Sequence, residues 1–374
     1  MDFTLNTEQV NLRDSVQRYC RSQCAFDVRR HARAHPGTSP LSHWREFARL
    51  GWLGAALPAE LGGSDGAIVD DAIIMEELGR SLVLEPFLQC GIFASQLLNA
   101  AGTLEQRKIL IPQLIGGELT IAVAVDLSDD DPWAHFSAIT ARPPISNQLV
   151  LHGGEALVHA AMDVNHIVIP ARTEFGPTLF LIRSDAPGVN RKQHRTIDGL
   201  DCFELTLDGV IADQGDVIGS VGCAYLPLDY ATDYVTTALC AEAIGAMNGL
   251  LTITRDHLKQ RRQYGASLST YQALQHRMAD MFADLELARS MLYAAIAAIL
   301  TPNVAARRRT VFAAKAYISE SGRSLGQQAI QLHGASGMTD DSKAAHYFRR
   351  LVVIAGCAGE RDFLREQVAA ALLD

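Results

Sequence analysis

The sequence has 374 residues, of which 48% are hydrophobic and 20% charged, a balance typical of a globular protein with sizeable cores and two or three domains. The net charge of −9 argues against a nucleic-acid-binding protein, in which a basic patch or stripe is expected. Short basic runs such as "KQRR" and "RRR" are interpreted as solvated helix faces or phosphate contacts.

Signals for export, membrane insertion and metal binding are weak. The first residues, "MDFTLNTEQ", lack a basic segment followed by an apolar run, and no stretch reaches the roughly 18 uninterrupted apolar residues of a membrane span. Cys20 and Cys24 have helical spacing, but no second Cys or His pair completes a zinc site. We therefore expect a cytoplasmic protein with free thiols, no metal and no membrane contact.

Residues 1–118 are predicted to form an N-terminal helical domain. The stretches "TEQVNLRDSVQRYCRSQ" and "VDDAIIMEELGRSLV" have the apolar spacing of amphipathic helices. "LEPFLQCGIFASQLLNAAG" is apolar on most faces, which is typical of a buried helix. In "TLEQRKILIPQLIGGEL", Thr103 is expected to cap a helix and Gly116-Gly117 to end it.

Residues 119–225 are predicted to form a middle β domain. Short, β-branched segments separated by turn residues occur here: "LTIAVAV", "QLVLHG", "ALVHAA", "NHIVIPAR", "PTLFLIR" and "CFELTLDGV". A run of strands without intervening helices favours a β-barrel or a sandwich.

Residues 226–374 are predicted to form a C-terminal four-helix bundle. The long helical stretches begin at "DYATDYVTTALCAEAIGAMNG", at "STYQALQHRMADMFADLELARS" and at "NVAARRRTVFAAKAYISESG". Two further helices flank the small-residue stretch "IAGCAG". The order of helices, strands and helices predicts an α+β fold with three domains.

Three motifs carry a resemblance to a known family. "GWLGAALPAELGGSDG", followed by "MEELGR", lies in the first domain. "RRQYGASLSTYQALQHRMADM" and "QLHGASGMTDD", the latter followed by "YFRR", lie in the third. With these motifs and this layout, nearly the whole chain resembles the acyl-CoA dehydrogenase family.

The resemblance implies a cofactor, a reaction and partners. FAD would lie between the β domain and the bundle of a dimer or homotetramer, and its diphosphate and adenine would reach a neighbouring subunit. The reaction would be α,β-dehydrogenation of an acyl-CoA, in which a glutamate removes the α-proton and the β-hydride passes to the flavin. The electrons would leave to an electron-transfer flavoprotein.

Five residues are candidates for FAD contacts through this resemblance. Arg261 would meet the diphosphate, the ring of Tyr264 would lie near the adenine, and Gln272 would offer a donor and an acceptor to the flavin. Gln331 and Gly334 belong to a Gln-x-x-Gly-x-x-Gly segment, in which glycine lets the backbone approach a cofactor closely. "QRRQYG" also fits an ordinary basic helix end that is stopped by glycine.

The short loop that carries the catalytic glutamate in many members of the family lacks it here. Counted from the glycine of "QLHG", the glutamate position falls on Ala358. Glu360 lies two residues further on, where an acid is expected simply because it begins the next helix. Some members carry the base on the first long bundle helix instead, and that position falls on Val235.

Glu242 is a candidate base on that same helix. It lies in the apolar context "CAEAIGAM", seven residues after Val235, on nearly the same face but ~10 Å further along the axis. A carboxylate in such surroundings is a candidate catalytic base. It is equally compatible with a structural pair between Glu242 and an arginine across the bundle, and the sequence leaves both interpretations open.

Two further departures concern the substrate and flavin segments. Asp233 matches an acid that meets acyl-CoA in the family, but the arginine expected three residues later is Thr236. "VAVDLSDDDPW" replaces the family's Thr-Glu-Pro flavin segment, although Asp126 and Ser128 retain some polarity. The acidic run Asp129–Asp131 is interpreted as a solvated loop rather than a metal site.

Three functions remain compatible with the sequence. The first is an FAD-dependent acyl-CoA dehydrogenase for bulky acyl chains such as steroid side chains, with an unusual base or with the base on a partner chain. The second is a non-catalytic subunit that completes the fold and the flavin site of a hetero-oligomer with a glutamate-bearing homologue. The third is a flavin monooxygenase or a nitroalkane-oxidising relative on the same fold.

Overall fold

The computed structural model describes residues 4–34, 41, 43–127, 138–142 and 148–373, and its elements follow the predicted order. The chain divides by packing into two compact units. The bundle unit comprises Met1–Gly37, Ala72–Val83 and Thr236–Asp374, and the sheet unit comprises Thr38–Asp71 and Leu84–Val235. Because this division follows packing rather than element order, the domain boundaries at residues 118 and 225 stay predictions.

The helices that precede the strands confirm the predicted N-terminal pattern. They are α1 (Thr7–Gln23), α2 (Phe26–Ala34), α3 (Trp44–Arg49), α4 (Ile68–Ser81), α5 (Ala94–Ala101) and α6 (Leu104–Ile115). α6 begins with a capping box in which Thr103 and Gln106 exchange hydrogen bonds, and it ends at Gly116, as expected. The apolar stretch before α5 is a π-helix from Phe87 to Phe93 rather than a continuous α-helix.

The middle segment forms one eight-stranded sheet. Its strands are β1 (Ile121–Val123), β2 (Ile139–Arg142), β3 (Leu149–Val158), β4 (His166–Thr173), β5 (Gly176–Arg183), β6 (Val189–Arg195), β7 (Asp201–Ala212) and β8 (Val217–Ile218). The order is β6-β7-β3-β2-β4-β5-β8, with β1 paired to β4. β1 and β2 run parallel to β4, and the other pairs are antiparallel.

The glycine pair in β3 corrects one prediction. "QLVLHG" and "ALVHAA" were expected to be separate strands, but both belong to β3. Gly153 and Gly154 have φ of +110° and +128°. A Cβ on Gly153 would lie 2.0 Å from the Ala138 carbonyl oxygen, and a Cβ on Gly154 would lie 2.5 Å from the Leu205 carbonyl oxygen. The pair therefore lets the strand bulge past its two neighbours instead of turning back.

The C-terminal segment is a helical bundle, as predicted, although its described residues form five helices where a four-helix bundle was expected. They are α7 (Tyr225–Gln260), α8 (Gln272–Ile299), α9 (Val304–His333), α10 (Lys343–Ala355) and α11 (Arg361–Leu373), with a small hairpin of β9 (Arg262–Gln263) and β10 (Ala266–Ser267) between α7 and α8. α9 packs against α8, α10 and α11. α7 is long and apolar enough to cross a membrane, but 78% of its most apolar window is buried in the protein, as in a core helix.

Candidate functional site

The end of α7 leads into an exposed aromatic hairpin. Tyr264 and Gly265 form the two-residue loop between β9 and β10, with φ of +52° and +81°, as a type I′ turn requires. Ser267 Oγ donates to the Leu258 carbonyl at 2.9 Å, which ties the hairpin to the last turn of α7. The Tyr264 side chain is 94% exposed, so its ring is available to a partner or a ligand.

A stacked histidine pair joins the end of α7 to the end of α9. The rings of His257 and His333 lie 4.5 Å apart at an angle of 26°. His333 Nδ1 lies 2.9 Å from the Ala329 carbonyl oxygen, so Nδ1 carries the proton of the neutral ring and Nε2 is the acceptor nitrogen. Burial lowers the pKa of His257, and the neighbouring His333 and Arg261 lower it further. This pair was not among the residues predicted from the sequence.

The five residues predicted to contact FAD are exposed residues of the bundle unit. Arg261 follows α7, Gln272 begins α8, and Gln331 lies in the last turn of α9. Gly334 ends α9 with φ of +65°, and a Cβ there would meet nothing within 4 Å. The histidine stack shows that the α7 and α9 ends lie together, so Arg261 and Gly334 belong to one end of the bundle.

The position predicted for the family's glutamate lies in a tight turn between α10 and α11. Ala358 is buried, with φ of +57°, and Gly359 has φ of +94°. A Cβ on Gly359 would lie 2.8 Å from Leu364 Cδ2, so the turn is closely packed against α11. Glu360 is exposed, and its backbone carbonyl accepts the Leu364 N–H at the start of α11, as expected for an acid that begins a helix.

A buried lysine lies beneath this turn. Lys315 on α9 is fully buried, and its Nζ donates to Ser319 Oγ at 2.8 Å and lies 3.5 Å from the Ala355 carbonyl at the end of α10. Burial lowers its pKa, while the nearby thiols of Cys240 and Cys357 oppose that shift. The signal in the sequence for this burial is a lone lysine within the apolar run "FAAKAYI", and Lys315 was not among the predicted site residues.

Glu242 is engaged in a buried ion pair. Its carboxylate oxygens accept from Arg350 Nε at 2.5 Å and from Arg350 Nη2 at 2.7 Å, and both side chains are only 9% exposed. This bidentate geometry joins α7 to α10 within the bundle unit. It is the cross-bundle arginine pair that the sequence had left open as the structural interpretation of Glu242.

The remaining predicted positions belong to α7 and to the sheet unit. Asp233, Val235 and Thr236 are all buried in α7. Asp126 Oδ2 accepts the Leu157 N–H of β3 at 3.1 Å, so its polarity serves the sheet. Ser128 and the acidic run after it lie outside the described residues.

The sheet unit also holds a buried acid–phenol pair. The Tyr234 hydroxyl lies 2.8 Å from Asp71 Oδ2, and both side chains are buried. Burial raises the pKa of Asp71 to about 7, and the hydrogen bond from Tyr234 opposes that shift. No local pattern predicts the pair, because its members are 163 residues apart.

Comparison with known proteins settles the family. Models of the acyl-CoA dehydrogenase N-terminal and C-terminal domains match residues 6–118 and 232–373. The chain belongs to the acyl-CoA dehydrogenase family. A probable acyl-CoA dehydrogenase, YngJ of Bacillus subtilis, is 25% identical over the full length of both chains.

Two solved structures agree with this assignment. The Tcur3481-Tcur3483 steroid ACAD variant superposes with a TM-score of 0.87 at 27% identity and covers 98% of each chain. The ChsE4-ChsE5 complex from Mycobacterium tuberculosis gives a TM-score of 0.89 at 21% identity, covers 100% of this chain and 99% of that one, and supports the fold. As an acyl-CoA dehydrogenase family member, the protein is an FAD-dependent oxidoreductase that acts on CH–CH bonds.

Proposed function

We propose that this chain is the supporting subunit of a hetero-oligomeric acyl-CoA dehydrogenase, in which a homologous chain supplies the catalytic glutamate. The observation that carries the proposal is the turn between α10 and α11. Ala358 occupies the glutamate position, and neither its methyl group nor the Val235 side chain at the alternative position accepts a proton. Glu242, the candidate base of α7, forms an ion pair with Arg350 and so already has a structural partner.

The exposed face of the bundle unit supports assembly with another chain. Tyr264 at the hairpin tip is 94% exposed, and Phe282 and Leu287 on α8 are more than half exposed. Phe282 lies beside Leu274 and Met278 in the lining of one groove between α7 and α8. A contiguous apolar surface of this kind is typical of a protein–protein interface. A glutamate-bearing homologue with the same bundle would present the complementary surface.

The residues at the ends of α7 and α9 fit FAD. Gly334 leaves open space where a Cβ would be, and the Arg261 guanidinium makes no ion pair within the described part of the chain. Arg261 would bind the diphosphate, Tyr264 would cover the adenine, and Gln272 and Gln331 would donate and accept hydrogen bonds. FAD, when bound, supplies the acceptor for the hydride that leaves the acyl chain.

The substrate class is proposed from the relatives. A bulky acyl-CoA, such as one with a steroid side chain, is supported by the 27% identity to a steroid acyl-CoA dehydrogenase. In this assignment the partner chain removes the α-proton, and the present chain contributes to holding the cofactor. An electron-transfer flavoprotein is the proposed electron acceptor.

The test is an anaerobic titration with acyl-CoAs, first of the isolated chain and then of the complex with a glutamate-bearing homologue. The isolated chain should bleach its flavin poorly, because general base catalysis contributes about 10²–10⁴ in rate. The complex should bleach quickly and contain less than one flavin per chain. Full flavin occupancy and rapid reduction of the isolated chain would show that it is catalytic by itself, with Glu242 or Glu360 as the next candidates.

A further inference from the structure

A cluster of basic groups without an acidic partner lies at one end of the bundle unit. It consists of Arg261, His257 and His333. Although the chain as a whole carries a net charge of −9, no acid among the described residues pairs with the Arg261 or His257 side chains. A guanidinium and two imidazoles that the fold holds together without an acidic partner indicate that a counter-charge comes from outside the chain.

We propose that His257, His333 and Arg261 form a subsite for the diphosphate of an adenine nucleotide, and that the stacked histidines take up a proton when that diphosphate binds. The inference rests on the proposed cofactor site and adds to it both the histidines and the proton. The shared chemistry is an adenosine diphosphate ester, which FAD and coenzyme A both contain.

The geometry of the pair explains why proton uptake should accompany binding. In the described part of the chain, the His257 ring makes no hydrogen bond, and its neighbours are the His333 ring on α9 and Arg261, which directly follows α7. Both neighbours disfavour a positive charge on His257. A diphosphate beside the same groups carries negative charge, and its attraction for a positive imidazole opposes the effect of the two neighbours. The protonated form of His257 is therefore favoured in the complex.

His333 is suited to contact the anion directly. Because Nδ1–H donates to the Ala329 carbonyl, a proton that is carried by His333 rather than by His257 lies on Nε2, which then becomes a second donor. The residue that follows is Gly334, where the absent Cβ leaves the backbone open to a ligand. Affinity for the diphosphate should therefore increase as the pH falls through the range in which imidazole titrates.

The experiment measures the Kd of FAD for the full-length protein, in the assembly in which it is purified, at about pH 6 and about pH 8. FAD is the first probe because its doubly esterified diphosphate does not itself titrate in this range. Dephospho-coenzyme A is the second probe and tests the other source of the same chemistry. Calorimetry in buffers with different ionisation enthalpies gives the number of protons bound.

Wild-type protein should bind at least one probe about three- to tenfold more tightly near pH 6, with net proton uptake, since one pKa unit corresponds to a tenfold change. His257→Gln should remove both effects, and His333→Gln should reduce them. His152→Gln, at an exposed histidine of the sheet unit, is the matched control and should keep them.

Equal affinity at both pH values, no proton uptake, or an unchanged pH dependence in His257→Gln would overturn the proposal. If His257→Gln does not fold, the proton count of the wild-type protein and the His333→Gln variant still decide. Tight, pH-independent FAD binding would leave the cofactor assignment intact and remove only the histidine subsite. Catalysis by the isolated chain would overturn the supporting-subunit role without affecting this measurement.

Discussion

Replacement of Glu242 by glutamine tests whether this acid is structural or catalytic. The change keeps the shape of the side chain but leaves the buried Arg350 guanidinium without its carboxylate, to which it now donates at 2.5 and 2.7 Å. Removing one partner of a buried pair costs about 3–5 kcal/mol, because the remaining charge is uncompensated. We expect Glu242→Gln to lower the free energy of unfolding by that amount in denaturant titrations at neutral pH.

Two further variants test whether the cost of Glu242→Gln comes from the unpaired charge that it leaves buried on Arg350. Glu320 contacts Arg361 at 2.6 Å, but both side chains are more than two-fifths exposed, so Glu320→Gln should cost less than about 1 kcal/mol. In the background of Glu242→Gln, Arg350→Met should recover most of the lost stability, because it removes the unpaired charge. If Glu242→Gln unfolded like the wild type and yet abolished flavin reduction in the complex, the ion-pair argument would be wrong and Glu242 would be the base.

Three other outcomes follow from buried groups. The pKa of Asp71 is raised to about 7 in the folded state, so its contribution to stability is complete below its unfolded pKa near 3.8 and is lost as the pH rises through 7. Asp71→Asn should therefore remove about 4 kcal/mol of pH dependence from the free energy of unfolding, measured by heat or denaturant. An unchanged pH profile would contradict this. Lys315→Met should raise the free energy of unfolding at neutral pH by about 1–3 kcal/mol, because burial disfavours the ammonium group. It should also speed amide exchange in the turn between α10 and α11, because the contact to the Ala355 carbonyl is lost. A large destabilisation would show that the amine is a net stabiliser. Ala358→Gly should stabilise the folded protein by up to about 1–2 kcal/mol, because the φ of +57° at this position favours glycine. A loss of stability would mean that the contacts of the Ala358 methyl group outweigh the backbone strain.

Local signals predicted the elements that depend on neighbouring residues. The capping box at Thr103 was predictable because it is satisfied within one turn of α6. The edge strand β6, "VNRKQHR", was not predicted, because its exposed position tolerates charged side chains that hide the alternation of a strand. The glycine pair of β3 was misinterpreted for a similar reason, since only the packing of the adjacent strands distinguishes a bulge from a turn.

The sequence alone determined the family and the order of elements, and it predicted that Ala358 stands at the position of the catalytic glutamate, because motifs and amphipathic periods are properties of short segments. Only the tertiary structure decided the partners of the buried charged groups. Glu242 meets an arginine 108 residues further along the chain, and Lys315 reaches a carbonyl 40 residues away. Such pairs arise when helices pack side by side, and the distance between two side chains in space is then independent of their separation in sequence.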